Sequence, residues 1–351
     1  MKKIDNILRI EILWKVLIVL CLTFAVCLCT ISASCKITPE GITILDSDYS
    51  TPKLLNIQIS NSNEISLEFD KEIALKELEV RSVSNSTIFS KVNVANINKN
   101  KFFALECDTK FLHSEKYEVF GVAEDEKYNT LTFSSILTGY NENIPKIAFS
   151  ELRTYYQKPK LEFLELYAQT SGNLAGMVLE FYYKDKPIEF VFPDVEVKSG
   201  DFIIVHGRKL EETCVNELIN KDEATYKDAV AGVLDFWIDS ETKVIGNSGA
   251  ILLRNRKNGK PVEALLYTEP NKEDWGTSYI KEAADEAVKA EVWLGSSTVE
   301  DAALNVKPSG TRSLSKDFSI SEATSSKDMW LFVNNGNATM GKENSLVPFE
   351  G

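Results

Sequence analysis

Few residues in this 351-residue chain have the types and spacing that chemistry needs. A catalytic site requires a nucleophile, a general base or a metal, oriented by a second group. The sequence holds two histidines, His113 and His206, far apart in the chain. No His-x-x-x-His or Cys-x-x-Cys pair offers ligands to zinc. There is no Gly-x-Ser-x-Gly elbow and no Gly-x-x-x-x-Gly-Lys-Ser/Thr phosphate loop. Asn247-Ser248-Gly249-Ala250 reads as a turn between strands. His206 ends the run Asp201-Phe202-Ile203-Ile204-Val205. Imidazole catalysis needs a second positioned group, so a satisfied histidine at a strand end is the expectation. Glu162 and Glu165 are an odd number of positions apart, so in a regular strand they face opposite ways. That argues against a glycosidase pair built from these two. A site assembled from carboxylates across loops stays open. The expectation is no enzyme, no cofactor and no metal.

Aromatic side chains offer recognition instead of catalysis. Trp237, Trp275 and Trp293 sit near loops or inserted segments, and Tyr182 and Tyr183 are adjacent. Exposed on a rigid sandwich, such rings stack on sugars or anchor a protein partner. Buried, they are core. The three tryptophans are therefore candidate ligand contacts for a protein or glycan partner, and burial of all three would remove the glycan reading.

The elements that must position these residues begin with the N-terminus. Lys2, Lys3, Arg9 and Lys15 precede the uncharged run Val16–Ser32, which is a positive region followed by an apolar one, as in a secretory signal. Ser32, Ala33 and Ser34 are small, as signal cleavage demands, and Cys35 follows. This stretch resembles a bacterial lipobox. Ile31 and Ser32 stand where Leu is usual, and Ser34 where Gly or Ala is commonest; that looseness resembles spirochaetal lipoboxes. The resemblance implies cleavage before Cys35 and a diacylglycerol on its thiol, anchoring the chain to the inner or outer membrane of a bacterium. Cys27 and Cys29 are rival positions preceded by bulky Val26 and Leu28. An uncleaved anchor over residues 14–34 and a plain secreted protein are the alternatives, and all three export the body.

The net charge is −13; with the four basic and two acidic groups of residues 1–34 set aside, the body stands at −15. Such a body repels nucleic-acid phosphates, so no nucleic-acid partner is expected. It repels anionic lipid as well, so membrane attachment must come from the N-terminus. Only Cys107 and Cys214 lie in the body, which is no disulfide framework. Two reduced, partly buried thiols are expected.

The expected fold class is all-β: two Ig-like β-sandwiches in tandem after an N-terminal signal helix, the second with short helical insertions. Residues 1–34 are the signal peptide and 35–52 a polar stalk, in which Asp46 and Asp48 read as a solvated turn. Residues 53–143 hold short β-branched and aromatic runs separated by Asn-, Ser- and Asp-rich turns. There, Ile65–Ile73 followed by Tyr117–Phe133 resembles bacterial Ig-like domains, with Asp125 bonding its own turn.

Residues 144–351 resemble a lamin-tail domain, an Ig-like sandwich of lamins and exported bacterial proteins. The resemblance rests on six ordered blocks: Ile147–Leu152; Glu162–Tyr167; Asn173–Leu179, with Met177 where Trp is usual; Phe192-Pro193-Asp194 with Lys198–Val205; Gly246–Arg254; and Arg312–Lys316 with Trp330, Ala338–Gly341 and Asn344. Gly176, Gly200 and Gly249 are expected at positive φ. Val195–Val205 is expected to form a hairpin. Insertions near 210–234 and 278–295 have helical spacing and are expected to lie as amphipathic helices over a sheet edge, the second presenting Ile280, Ala284, Ala287 and Val288 on one face. The expected function is that of a non-catalytic, extracytoplasmic, membrane-anchored lipoprotein serving adhesion, scaffolding or binding. A carbohydrate-binding module, or an accessory protein of an extracellular hydrolase or nuclease system, is the alternative.

Overall fold

A computed structural model describes residues 50–84, 92–98, 100–218, 224–320 and 324–351. The leader, Cys35 and nearly all of the stalk lie outside the described residues. The chain divides into Met1–Ser50 and Thr51–Gly351, and the second unit is described here. It is all-β, with several sheets and one α-helix among the described residues.

The first sandwich follows from period-2 alternation. Its strands are β1 (Leu54–Asn61), β2 (Glu64–Phe69), β3 (Ala74–Ser82), β4 (Val92–Asn98), β5 (Phe102–Cys107), β6 (Lys116–Glu124) and β7 (Thr130–Thr138). One sheet has the order β1-β2-β5-β4 and the other β3-β6-β7. Every second residue of β2 and β6 points inward, placing Ile65, Leu67, Phe69, Tyr117 and Val119 in one core. Burying each such side chain stabilises by about 1.5–3 kcal/mol. Asp125 caps its turn: its Oδ1 accepts from the Lys127 and Asn129 N–H groups at 2.9 Å each.

The second sandwich begins with β8 (Ile147–Arg153), β9 (Phe163–Ala168), β10 (Gly172–Asn173), β11 (Val178–Tyr182), β12 (Ile188–Val191), β13 (Glu196–Val197), β14 (Phe202–His206) and β15 (Leu234–Trp237). It continues with β16 (Gly249–Arg254), β17 (Pro261–Thr268), β18 (Trp293–Leu294), β19 (Ala303–Leu304), β20 (Leu314–Lys316), β21 (Ser325–Ser326) and β22 (Trp330–Phe332). A five-stranded sheet, β12-β11-β16-β17-β19, faces a six-stranded one, β15-β14-β9-β8-β20-β22. Phe149, Leu164, Leu166, Val205 and Phe236 share one core with Leu179, Ile251, Leu253 and Leu265.

Four expectations are corrected. The described residues of 210–234 form no helix. Edge strand β15 needs partners for its outer N–H and C=O groups, and this segment supplies them. Asn216 Oδ1 accepts from Trp237 N–H at 2.8 Å, and Glu217 N–H donates to the Asp235 carbonyl at 2.9 Å. The 278–295 insertion does form a helix, Ser278–Lys289, capped by Thr277, but it covers the face of β16 and β17 and not an edge. It does so because Ile280, Ala283, Ala284 and Ala287 form its buried stripe and are small enough for close approach. Val195–Val205 turns a corner instead of making a hairpin, since β13 pairs with β10 while β14 pairs with β9 and β15. Gly176 and Gly200 have positive φ, at 78° and 92°, but Gly249 does not. Gly249 is required by close approach: a Cβ there would stand 2.4 Å from the Tyr182 carbonyl oxygen.

Candidate functional site

The outer face of the six-stranded sheet gathers more ionisable groups than its burial would suggest. Alternation turns the apolar residues of β8, β9, β14 and β15 to the core and leaves Glu151, Arg153, Glu165, His206 and Asp235 off it. Two covers keep these groups from water. One is formed by the described residues after β14, 207–218 and 224–233. The other is the C-terminal strap, residues 334–345, whose Met340 packs with Val230 and Val233 over Phe163 and Ile204.

Glu151 and Glu165 stand opposite one another in the β8–β9 register, both wholly buried. A register shift between Phe149 and Glu151 brings them into line. The strap clasps both. Thr339 N–H donates to Glu151 at 2.9 and 3.0 Å, the Ser313 hydroxyl also donates to Glu151, and Gly341 N–H donates to Glu165 at 2.5 Å. Gly341 presents that N–H from φ 75°. Asn344 stitches the strap down by donating to the carbonyls of Ser150 and Lys316. Burial raises both carboxyl groups above the ordinary range. The Glu151 charge adds to the rise at Glu165, whereas the Gly341 N–H and the Ser150 hydroxyl oppose it. Two buried carboxylates so placed each disfavour the ionised form of the other.

His206 does have a second group. Its Nε2 is 2.7 Å from Asp235 Oδ1, and its ring stacks on Trp237 at 4.0 Å. His206, Asp235 and Trp237 are nevertheless buried. A base so buried has no direct contact with solvent. Two buried ion pairs flank it. Arg153 bonds Asp228 and the Leu161 carbonyl, and Arg208 grips Glu162 through both carboxylate oxygens while lying over the Tyr156 ring. Glu162 is thereby spent on Arg208, and Glu165 finds its partner carboxyl in Glu151, which the sequence reading did not pair with it. The hint available was a glutamate inside each of two mainly apolar strands, IAFSELR and FLELYA.

The other candidate residues are dispersed. Trp237, Trp275 and Trp293 are all buried, with exposures of 4, 7 and 1%. Trp275 donates to the Ser297 carbonyl at 2.7 Å and Trp293 to that of Asp301 at 3.2 Å. Their positions near loops reflect indoles that tie those loops to the core, so the expected strip of exposed aromatics is not formed by these three. His113 lies at the seam of the sandwiches, 3.4 Å from Asp194. Cys107 and Cys214 are free and buried in separate clusters, and burial pushes the Cys107 thiol up to about 11. Among the described residues, no group of three His, Cys, Asp or Glu side chains converges as a metal site would. Cys35 lies outside the described residues.

A family model described as "protein second domain" matches residues 145–332, more than half of the chain and almost all of the second sandwich. The chain belongs to this family. An uncharacterized protein of Treponema pallidum (strain Nichols) is 26% identical over 201 residues, 55% of this chain and 51% of that protein. The chain thus spans about half the length of that relative. Among solved structures, the N-terminal part of the bacterial S-layer protein SbsC aligns with 43% of this chain and 45% of its own, at 11% identity and a TM-score of 0.25. A DUF4785 family protein from Legionella pneumophila aligns with 61% of this chain and 55% of its own, at 12% identity and a TM-score of 0.23. At these TM-scores neither structure supports an inference about this chain.

Proposed function

We propose that this chain is a non-catalytic module of the bacterial cell envelope, anchored by lipid at Cys35, whose sandwiches hold or bind a partner outside the cytoplasm. One observation supports this most. The groups of the second sandwich that chemistry would use, His206 with Asp235 and Glu151 with Glu165, are buried, and each has at least one partner within the protein. Such a face fixes two straps to a sheet and leaves recognition to the outer surface. The lamin-tail resemblance belongs to the same proposal, and its last block, Ala338–Gly341 with Asn344, coincides with the strap that clasps the carboxyl pair.

The test is metabolic labelling of cells with an alkyne-palmitate analogue, comparing wild type with Cys35→Ala. Loss of label, accumulation of precursor and release from the membrane fraction are expected. A Cys35→Ala chain that is processed and fractionated like wild type overturns the anchor.

A further inference from the structure

In a body at −15, a cleft walled by cations stands out. Such a cleft, about 490 Å³, opens between residues 227–230, the turn at Gly310 and the C-terminal strap. Arg153, Lys160, Lys227 and Lys342 line it, with Asp228 as the carboxylate among its lining residues. Asp228 is fully engaged: Oδ2 accepts from Arg153 and from Leu161 N–H, and Oδ1 lies 3.0 Å from Lys160 Nζ. Neither Lys227 nor Lys342 forms an ion pair among the described residues, and both are exposed. The cleft thus carries three positive charges beyond those Asp228 neutralises. Gly336, on its rim at φ 88°, has open space where a Cβ would stand, so backbone can be approached closely there.

We infer that this cleft binds the phosphate group of a small phosphoester. The ammonium groups of Lys160, Lys227 and Lys342 at the mouth suit a multiply charged oxyanion, and buried Arg153, which donates to Asp228 and to the Leu161 and Gly310 carbonyls, adds positive charge from the wall. The volume exceeds what a bare ion fills and falls within the range of small-ligand pockets. The acidic remainder of the body repels such anions, which confines binding to this place. The lysines at the mouth divide the work between two covers, Lys227 from the inserted segment and Lys342 from the strap. A bound phosphate therefore bridges the covers and slows opening of the strap. The inference stands on the lining of the cleft and is independent of the anchor at Cys35.

The full chain in a detergent of uncharged headgroups is titrated with glycerol 3-phosphate by calorimetry, with amide exchange of residues 334–345 read in parallel. The same exchange is read with phosphatidylglycerol doped into the micelle. Saturable one-to-one binding of the soluble ester, with slowed exchange, identifies a free phosphoester. Slowed exchange with phosphatidylglycerol alone identifies a lipid headgroup. No binding of the ester up to about 10 mM together with unchanged exchange in both series overturns the inference. The double variant Lys227→Gln/Lys342→Gln, which removes no ion pair, is expected to weaken binding roughly tenfold or more. Lys186→Gln, exposed elsewhere, is expected to leave it unchanged. Equal binding by the double variant and wild type places the anion elsewhere and also overturns the inference.

Discussion

Replacing Glu165 by Gln should make the protein more stable at neutral pH. Glu165 and Glu151 are wholly buried and opposed in register, and the Glu165 carboxyl is raised by burial first and by the Glu151 charge second. A carboxyl whose folded pKa exceeds its unfolded one binds a proton in the native state that the unfolded chain has released. Its contribution is complete below the unfolded value, near 4.5, and is lost as pH rises toward the folded value. Within that window one extra native proton makes stability fall by about 1.4 kcal/mol per pH unit. Gln is neutral at every pH. Its carbonyl can still accept from Gly341 N–H. The gap between Glu165→Gln and wild type should therefore be near zero at pH 4.5. It should widen above that, at up to about 1.4 kcal/mol per pH unit, until the folded pKa is passed. Glu151 and Glu263 are also raised by burial and slope the same way, so the difference between the two proteins, not either slope alone, is diagnostic. Urea unfolding at half-unit steps from pH 4.5 to 8, followed by tryptophan fluorescence, suits the case. Trp237, Trp275, Trp293 and Trp330 all lie in the second sandwich. A gap that does not change with pH, or a variant less stable than wild type at pH 7, would refute the raised Glu165 carboxyl.

Arg208→Ala should destabilise by about 3–5 kcal/mol, because it leaves Glu162 buried without its counter-charge; the pair Arg208→Met/Glu162→Leu should recover most of that loss in the same urea titration. Gly341→Ala should cost about 1–2 kcal/mol from its left-handed backbone alone. It should cost more from a Cβ only 2.7 Å from Val233 Cγ2, and should speed amide exchange across residues 334–345; exchange equal to wild type would contradict the strap geometry. Cys107 and Cys214 should resist alkylation in the native protein and react on unfolding, read as a mass increment confined to the denatured sample.

Strand content was legible because period-2 burial writes itself into short segments such as Glu64–Phe69 and Lys116–Glu124. The helix Ser278–Lys289 was legible because its small apolar residues recur at helical spacing. The same spacing misled over 210–234, where backbone groups are drawn off to cap the edge of β15. Local pattern carries no record of an edge needing partners. The carboxyl pair was illegible for a related reason. Spacing near β9 says only that Glu162 and Glu165 differ in facing, and it is the β8–β9 register, shifted beside Glu151, that sets Glu151 opposite Glu165. His206 and Asp235 likewise meet through a parallel pairing of β14 with β15 across a long connection. The tryptophans failed as surface candidates because nearness to a loop in sequence does not distinguish a ring facing water from one anchoring the loop.

These misses share a cause that bears on what the molecule is for. Leaving charges on a covered sheet face costs stability unless each finds its partner, and apolar replacements of similar shape would do as well or better. The arrangement earns its place through selectivity of position. Thr339, Gly341 and Asn344 can satisfy Glu151, Glu165 and the carbonyls of Ser150 and Lys316 only with the strap in one register. A slip of one residue would leave buried carboxyl groups without donors, at about 1–3 kcal/mol each. The strap is thereby held at one place on the sheet by groups that contribute little net energy. Its outer side, carrying Lys342, is presented at a fixed position beside Lys227. Buried polar chemistry in this sandwich therefore fixes the position of a surface, the one at which binding is proposed.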